Sequence, residues 1–337
     1  MEKDGRRRTR MDDVAARAGV SQMTVSRVIR TPDKVAAATR ARVNAAMAEL
    51  AYVPDMLAGG LAARRSGLIG AVISTFENAI FAETIAGLTE TVETEGFSLL
   101  LGASGYSLEG EERLLHAILG RRPDGIVLTA TLHTPAARQL LVGSGVAIVE
   151  AWEIPSDPVD MAVGFDNRAA GQAMTAALLD IGYRRIAFVG ATGGRDVRGL
   201  RRRDGYRVAL AERGLPPREV GSAALPLGIE NGPAFLDEIL ARFPDTDAVF
   251  CSLDALAAGI LLAARRRGLD VPGRLAVAGF GDFAIAQPSG LDLTTVRIAG
   301  RAIGVHAGHL LLGRMSKVPL EETIIDVGFE VVRRSST

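Results

Sequence analysis

Residues 12–30 limit what this chain can fold into more than any other stretch. The run Asp12-Asp-Val-Ala-Ala-Arg-Ala-Gly19-Val-Ser21 leads into Gln22-Met-Thr-Val-Ser-Arg-Val-Ile-Arg30. Asp12 and Asp13 stand where negative charge favours a helix start. Val14, Ala15 and Ala18 form an apolar face, and Gly19 can take the left-handed dihedrals that end a helix. Ser21 is a natural N-cap for a second helix, with Val25, Val28 and Ile29 as its buried stripe. Small Ala15 lets the two helices approach closely, and Gln22, Met23, Ser26 and Arg27 are left facing outward. A Thr31-Pro-Asp turn then precedes a third helix, predicted from about Thr39 to Ala51, whose Val43, Ala46, Met47 and Leu50 close a small bundle before Pro54. Such a helix-turn-helix can lay its second helix in a DNA major groove, where Gln pairs with adenine, Arg with guanine and Met touches a thymine methyl. The same pattern also fits a plain three-helix bundle with a polar face.

Charge distribution bears on that choice. The formal net charge is zero, yet residues 1–65 hold 13 Lys+Arg against 7 Asp+Glu, leaving 26 against 32 for the rest. A basic head on an acidic body is the electrostatic footprint of a nucleic-acid-binding domain joined to something else. Arg6-Arg-Arg-Thr-Arg10 reads as a phosphate-contacting or disordered arm, or as a merely solvated tail. With 337 residues and 48% hydrophobic content the chain can build two or three cores. It has no run of eighteen apolar residues, and its N-terminus lacks the apolar centre of a signal peptide, so a cytoplasmic protein is expected. The single cysteine, Cys251, excludes a disulfide framework or cysteine metal cluster and reads as a buried strand residue.

From Gly67 onward short apolar runs alternate with amphipathic helices. Strands are predicted at 68–73, 97–101, 125–129, 186–190 and 248–251, and helices at 82–95, 109–120, 202–213 and 234–243. The pattern repeats: Ile69 matches Ile186, Gly96 matches Gly214, and Asp124-Gly-Ile matches Asp247-Ala-Val, at offsets of about 120 residues. Two copies of a strand–helix unit imply two doubly wound parallel lobes with a cleft between them.

The chain resembles the lactose-repressor family of bacterial transcription regulators along nearly its whole length. The residues that carry this are Asp13-Val-Ala-Ala-Arg-Ala-Gly-Val-Ser21, Thr24-Val-Ser-Arg-Val28, Thr39-Arg-Ala-Arg-Val43 and Ala46-Met-Ala-Glu-Leu-Ala-Tyr-Val-Pro54. The resemblance implies an N-terminal helix-turn-helix domain plus an α/β periplasmic-binding-protein-like sensor of two doubly wound parallel-sheet lobes, with three crossings between lobes near Phe165, Val296 and Ile325. The expected division is 1–54 for the DNA-binding domain, 55–66 for a hinge, 67–165 with 297–325 for one lobe, and 166–296 with 326–337 for the other. It makes Gln22 and Met23 the base-reading pair, and Ser21, Thr24, Ser26 and Arg27 phosphate- and base-contacting positions. Leu61, after Ala58, takes the place of the hinge leucine that wedges into the minor groove. Gly59-Gly60 lowers helix propensity by roughly 1 kcal/mol per glycine relative to alanine, and Asp55 stands where the family often has Asn or Ser. The hinge helix is therefore expected to be weak without DNA.

Ligands of such folds sit between lobes at strand C-termini. That placement selects Ser74, Asn78, Ile80, Phe81, Thr129 and His133 from the first lobe. From the second it selects Asp166, Asn167, Arg202, Asp254 and Asp282. By resemblance, Ser74 is a polar ligand contact, Ile80-Phe81 an apolar or aromatic one, and Arg202, three before Gly205, the arginine that grips ligand oxygens; Arg201 and Arg203 leave the register open by one. Trp152 is either a stacking platform or a structural residue before Pro155. Where sugar-binding members carry an acid that grips hydroxyls this chain has Gly281, and where many carry Asn it has Leu253. A cleft that keeps an arginine and lacks that carboxylate suits an anionic ligand. Leu128-Thr-Ala-Thr-Leu-His-Thr-Pro135, Ala162-Val-Gly-Phe-Asp-Asn167 and Met23-Thr-Val-Ser-Arg27 look like the gluconate-utilisation repressors of the family. The expected effector is a sugar acid such as gluconate, or else a sugar.

Two rival classes use a similar body. A sugar-acid kinase or dehydrogenase would use the Gly190-Ala-Thr-Gly-Gly194 turn for phosphate, but it does not fit G-x-G-x-x-G, and the only lysines are Lys3, Lys34 and Lys317, so there is no P-loop. No H-E-x-x-H or G-x-S-x-G run occurs, and neither a metal nor a cofactor is expected. A transport binding protein would carry a signal peptide and no helix-turn-helix. The expectation is a homodimeric repressor, not an enzyme, on a near-palindromic double-stranded operator. The absence of a heptad tail after Val331 argues against a coiled-coil tetramer.

Overall fold

A computed structural model describes residues 9–54, 65–76, 79–193, 195–225 and 227–337. Arg6–Arg8, the hinge with Asp55, Ala58, Gly59, Gly60 and Leu61, and the cleft candidate Asn78 lie outside the described residues. The chain divides into two compact units, Met1–Ser66 and Gly67–Thr337.

In the first unit α1 (Met11–Ala18) ends at Gly19, whose φ of 63° is the left-handed turn that a side chain would resist. Ser21 Oγ accepts from the Thr24 N–H at 3.2 Å and opens α2 (Gln22–Arg30). A 3₁₀ turn, Pro32–Lys34, leads to α3 (Ala37–Glu49), which begins and ends two residues earlier than predicted. It stops because Ala51 is already left-handed (φ 46°). Val14, Ala15, Ala18, Val25, Val28, Val43 and Ala46 make the core of this bundle. Burial of each valine is worth roughly 1.5–3 kcal/mol, which is what holds so small a unit. Arg17 on α1 donates to Glu49 on α3 through Nε (3.0 Å) and a terminal nitrogen (2.8 Å).

The second unit holds two parallel sheets. The first contains β1 (Leu68–Ile73), β2 (Ser98–Ala103), β3 (Gly125–Leu128), β4 (Ala147–Ala151), β5 (Met161–Gly164) and β11 (Ile324–Asp326), in the order β11-β5-β4-β3-β1-β2. The second contains β6 (Ile186–Ala191), β7 (Arg218–Ser222), β8 (Ala248–Cys251) and β9 (Ala276–Ala278), in the order β7-β6-β8-β9. The inner order β4-β3-β1-β2 therefore recurs as β9-β8-β6-β7, which is the sequence repeat made visible. β1, β3, β4, β6 and β8 are buried nearly throughout, as strands covered on both faces must be, and so they read as unbroken apolar runs. Cys251 lies within β8, buried, where burial pushes its thiol pKa up.

Helices α4 (Ala82–Glu93), α5 (Leu108–Leu119) and α6 (Pro135–Ser144) belong to the first lobe. Helices α7 (Asn167–Ile181), α8 (Val197–Ala211), α9 (Gly232–Arg242) and α10 (Asp254–Arg266) belong to the second. The last helix, α11 (Gly300–Met315), follows β10 (Thr295–Arg297), which pairs antiparallel with β12 (Glu330–Val332). Helix α7 follows β5 of the first sheet but packs on α8 of the second lobe, while α11 packs back on α4, β4 and β5. Both helix pairs are in backbone contact: a Cβ on Gly205 would collide with the Arg168 carbonyl, and one on Gly304 with the Thr84 carbonyl. Among the described residues, no helix is long and apolar enough to cross a membrane.

Candidate functional site

On α2, alternate faces separate core from surface. Val25 and Val28 are buried, whereas Ser21, Gln22, Met23 and Arg27 are exposed, Met23 by 65%; Thr24 and Ser26 are half-buried. Ser21 Oγ and Thr24 Oγ1 lie 3.0 Å apart, so part of their hydrogen-bonding capacity is spent on the cap. A 65%-exposed methionine beside glutamine at a helix start is an apolar tip that water does not favour but a thymine methyl does.

In the sensor, a cavity of about 280 Å³ opens where strands of both sheets end. Ser74 follows β1, Ser104 and Tyr106 follow β2, and Ala130–Leu132 follow β3; from the other lobe come Arg195–Arg198, after β6. The N-termini of α5 and α8 both open on this space, capped by Ser107 and Asp196. Two positive helix ends facing one cavity favour negative charge there. The acids at its wall are partnered: Glu109 accepts from Ser107 Oγ, Asp196 from the Gly199 N–H, and Glu111 is held by His133.

Two arginines stand four residues apart and hence on one face of α8: Arg198 borders the cavity, whereas Arg202 is buried one turn further along the helix. Arg198 crosses from the second lobe to the first, donating to the Thr129 carbonyl and, at 3.2 Å, to Ser74 Oγ, with its guanidinium carbon 5.3 Å from the Phe81 ring centre. Arg202 is 1% exposed, donates to Asn167 Oδ1 at 2.9 Å, and lies 4.2 Å over the Phe280 ring, while its buried Nε has no partner. Burial lowers the Arg202 pKa to about 10, Asp196 opposing the shift and Arg198 adding to it. Asn167 in turn donates to the Trp152 carbonyl (2.9 Å) and to Glu153 (2.6 Å), a carboxyl whose pKa burial raises. Among the described residues, neither Arg198 nor Arg202 makes a hydrogen bond or ion pair with a carboxylate.

Of the residues expected at the cleft, Ser74 lines the cavity and Thr129 backs it, its Oγ1 accepting from the Ser74 N–H at 3.1 Å. Phe81 lies beneath Arg198, and Ile80 is buried in the core. Asp166 caps α7 through the Arg168 and Ala169 N–H groups. Three other expectations are corrected. His133 does not face the cavity: its side chain is 2% exposed and sits between Glu111 (2.5 Å) and Glu150 (3.2 Å). Burial alone would lower its pKa, but those two carboxylates outweigh burial and raise it to about 9. Asp254 accepts from Thr295 Oγ1 (2.6 Å) and the Phe283 N–H (2.9 Å); burial raises its pKa to about 6. Asp282 is taken up by Arg297 and Arg334, both at 2.6 Å. Both aspartates thus fasten β10 and the C-terminal segment to the second lobe. Trp152 is 1% exposed, donates to Thr84 Oγ1, and sits edge-on between Phe81 and Phe165, so it is core. Arg198 and Tyr106 were missed; the i, i+4 spacing of Arg198 from Arg202 was the available signal.

A helix-turn-helix head and a two-lobed sensor with a polar cavity at its strand ends define a ligand-responsive DNA-binding regulator. Residues 10–55 match the family described as bacterial regulatory proteins, lacI family, and residues 175–337 match the periplasmic binding protein-like domain. The HTH-type transcriptional regulator GntR of Escherichia coli (strain K12) is 34% identical over 96% of this chain and 97% of its own length. GntR of Pseudomonas aeruginosa is 34% identical over 98% and 96%. A crystal structure of a LacI-family transcriptional regulator from Silicibacter pomeroyi superposes with a TM-score of 0.90 at 33% identity, covering 97% of this chain and 99% of that one. The chain belongs to the lacI family of bacterial regulatory proteins, and is a transcription regulator rather than an enzyme.

Proposed function

We propose that this regulator is a cytoplasmic homodimeric repressor of a near-palindromic operator, released or tightened by a sugar acid of the gluconate type bound between its sensor lobes. Gln22 and Met23 read bases, and Ser21, Thr24, Ser26 and Arg27 hold phosphates or base edges, with Leu61 the hinge wedge. Ser74, Thr129, Phe81 and Arg202 hold the effector. The observation that carries this reading is Arg198, which borders a cavity flanked by two helix N-termini and whose engaged donors meet only neutral oxygens, with Arg202 buried one turn further along α8 and likewise bonded to a neutral oxygen. A carboxylate is the stronger acceptor for such donors. The fate of position 281 adds to it, since an acid there has no room beneath Phe283. Likeness to two regulators named GntR points the same way.

Thermal unfolding of the full chain against gluconate, other aldonates, neutral sugars and purines tests the reading. A ligand at a hundredfold its Kd adds about 2.7 kcal/mol, enough for a shift of a few degrees. Gluconate or another aldonate is expected to raise Tm and to change affinity for a duplex selected by the protein from a random pool. Stabilisation by neutral sugars or purines alone would refute the acid effector and leave the regulator standing.

A further inference from the structure

The most consequential contact outside the expected site is the one Arg198 makes across the cleft. It starts in the first turn of α8, in the second lobe, and its donors end on Thr129 O and Ser74 Oγ, at the C-terminal ends of β3 and β1 in the first. The residue is 6% exposed, its guanidinium faces the Phe81 ring, and it also borders the cavity. A buried cation held by a carbonyl and a hydroxyl has its donors engaged but hydrogen-bonds no carboxylate, which is the acceptor that pairs with a guanidinium most strongly. An acid group entering the cavity therefore competes for donors that already tie the lobes together.

We propose that Arg198 is both a specificity-determining residue for the acid group of the effector and a latch between the lobes, so that binding exchanges a direct lobe-to-lobe bond for one that runs through the ligand. The effector class rests on the reading given under Proposed function; the latch does not. The exchange makes the spacing of the two lobes depend on whether Arg198 holds Thr129 O or a carboxylate, and reciprocity requires that operator and acid then alter each other's affinity. Neutral sugars, whose hydroxyls are no better acceptors than Ser74 and Thr129 O, gain nothing from displacing them.

The test compares the parent, Arg198→Ala and Arg198→Lys as full-length proteins, using gluconate titration calorimetry and affinity for the selected duplex with and without gluconate. Arg198→Ala is expected to bind gluconate at least tenfold more weakly, and its affinity for the duplex without gluconate is expected to move several-fold toward the value the parent shows with gluconate. Arg198→Lys keeps the charge but cannot reach both acceptors, and should fall between; if the Ala protein fails to fold by circular dichroism and gel filtration, the Lys protein decides by the same criteria. A parent that binds gluconate, with Arg198 variants that match it within twofold in both gluconate and duplex affinity, overturns the proposal. A parent that binds no sugar acid refutes the effector class instead, and duplex affinity of the variants without ligand still decides the latch, an unchanged value overturning it.

Discussion

The Phe283 ring lies across Gly281, so that a Cβ built on the glycine would run into the edge of the phenyl group, and the φ of Gly281, +130°, is one that side chains rarely adopt. The position where sugar-binding relatives are expected to carry an acid is thus closed twice, by space and by backbone. Gly281→Asp should lower stability by about 2–5 kcal/mol from overpacking and backbone strain together, read from urea unfolding midpoints. Adding Phe283→Ala should recover the packing part and leave the backbone part, about 1–3 kcal/mol. A Gly281→Asp protein as stable as the parent would show that this backbone relaxes freely.

His133 gives a pH dependence with a definite sign. Its folded pKa of about 9 lies above the ordinary 6.5, so its contribution is complete below pH 6.5 and is lost as pH rises through 9. Removing the cation leaves Glu111 and Glu150 buried together, and His133→Gln should cost about 3–5 kcal/mol near pH 6. The gap between parent and variant Tm should narrow steadily from pH 6.5 to 9.5; a gap constant over that range would mean that the imidazole is neutral between its two neighbours.

In the head, loss of function and loss of fold should separate. Arg27→Ala removes an exposed side chain with little structural role, and should weaken binding to the selected duplex by about 1–3 kcal/mol with an unchanged melting curve. Ser21→Ala removes the cap on Thr24 N and should lower the stability of the bundle by about 0.5–2 kcal/mol. Equal effects of both changes on melting would contradict the division of labour on α2.

Gly205 carries the approach of α7 to α8, and therefore the seating of Arg198 and Arg202. Gly205→Ala must push the two backbones apart, at about 3 kcal/mol or more. Stabilisation by gluconate should fall with it, although residue 205 does not line the cavity. Ala at 205 with full gluconate response would show that the arginines are positioned by the β6–α8 turn alone.

Legibility followed periodicity. The head was readable almost residue by residue, because Ser21, Gly19 and the Val25–Val28 stripe are local signals. Ile69 and Ile186 announced the duplicated strands, and the sheet order repeats accordingly. By contrast β9, β10, β11 and β12 are three residues long, too short for any period to appear. The buried faces of α7 and α11 are built largely from small residues at the close helix contacts, among them Ala170, Gly171 and Thr175 in α7 and Gly304, Ala307 and Gly308 in α11, so little of the face stands out as an apolar stripe. α8 was predicted from 202 and begins at Val197, since its first turns carry Arg198, Arg201 and Arg202 rather than an apolar stripe; that displaced start hid Arg198. Nothing local distinguishes His133 from a cleft group, because its partners, Glu111 and Glu150, stand 22 and 17 residues away in the chain.

The exchange of covering helices between the two sheets, α7 leaving the first for the second and α11 returning, has a consequence for inheritance. The head spans one continuous stretch, so a single genetic crossover between two such genes can transplant a DNA preference onto a foreign sensor. No single crossover can transplant one lobe. Such a hybrid would join a sheet from one parent to a covering helix from the other, with Gly205 facing the wrong Arg168 or Gly304 the wrong Thr84. Operators and effectors can therefore be re-paired in one step by recombination at the boundary of the head, whereas an effector preference that neither parent had must be reached by substitutions within an intact sensor.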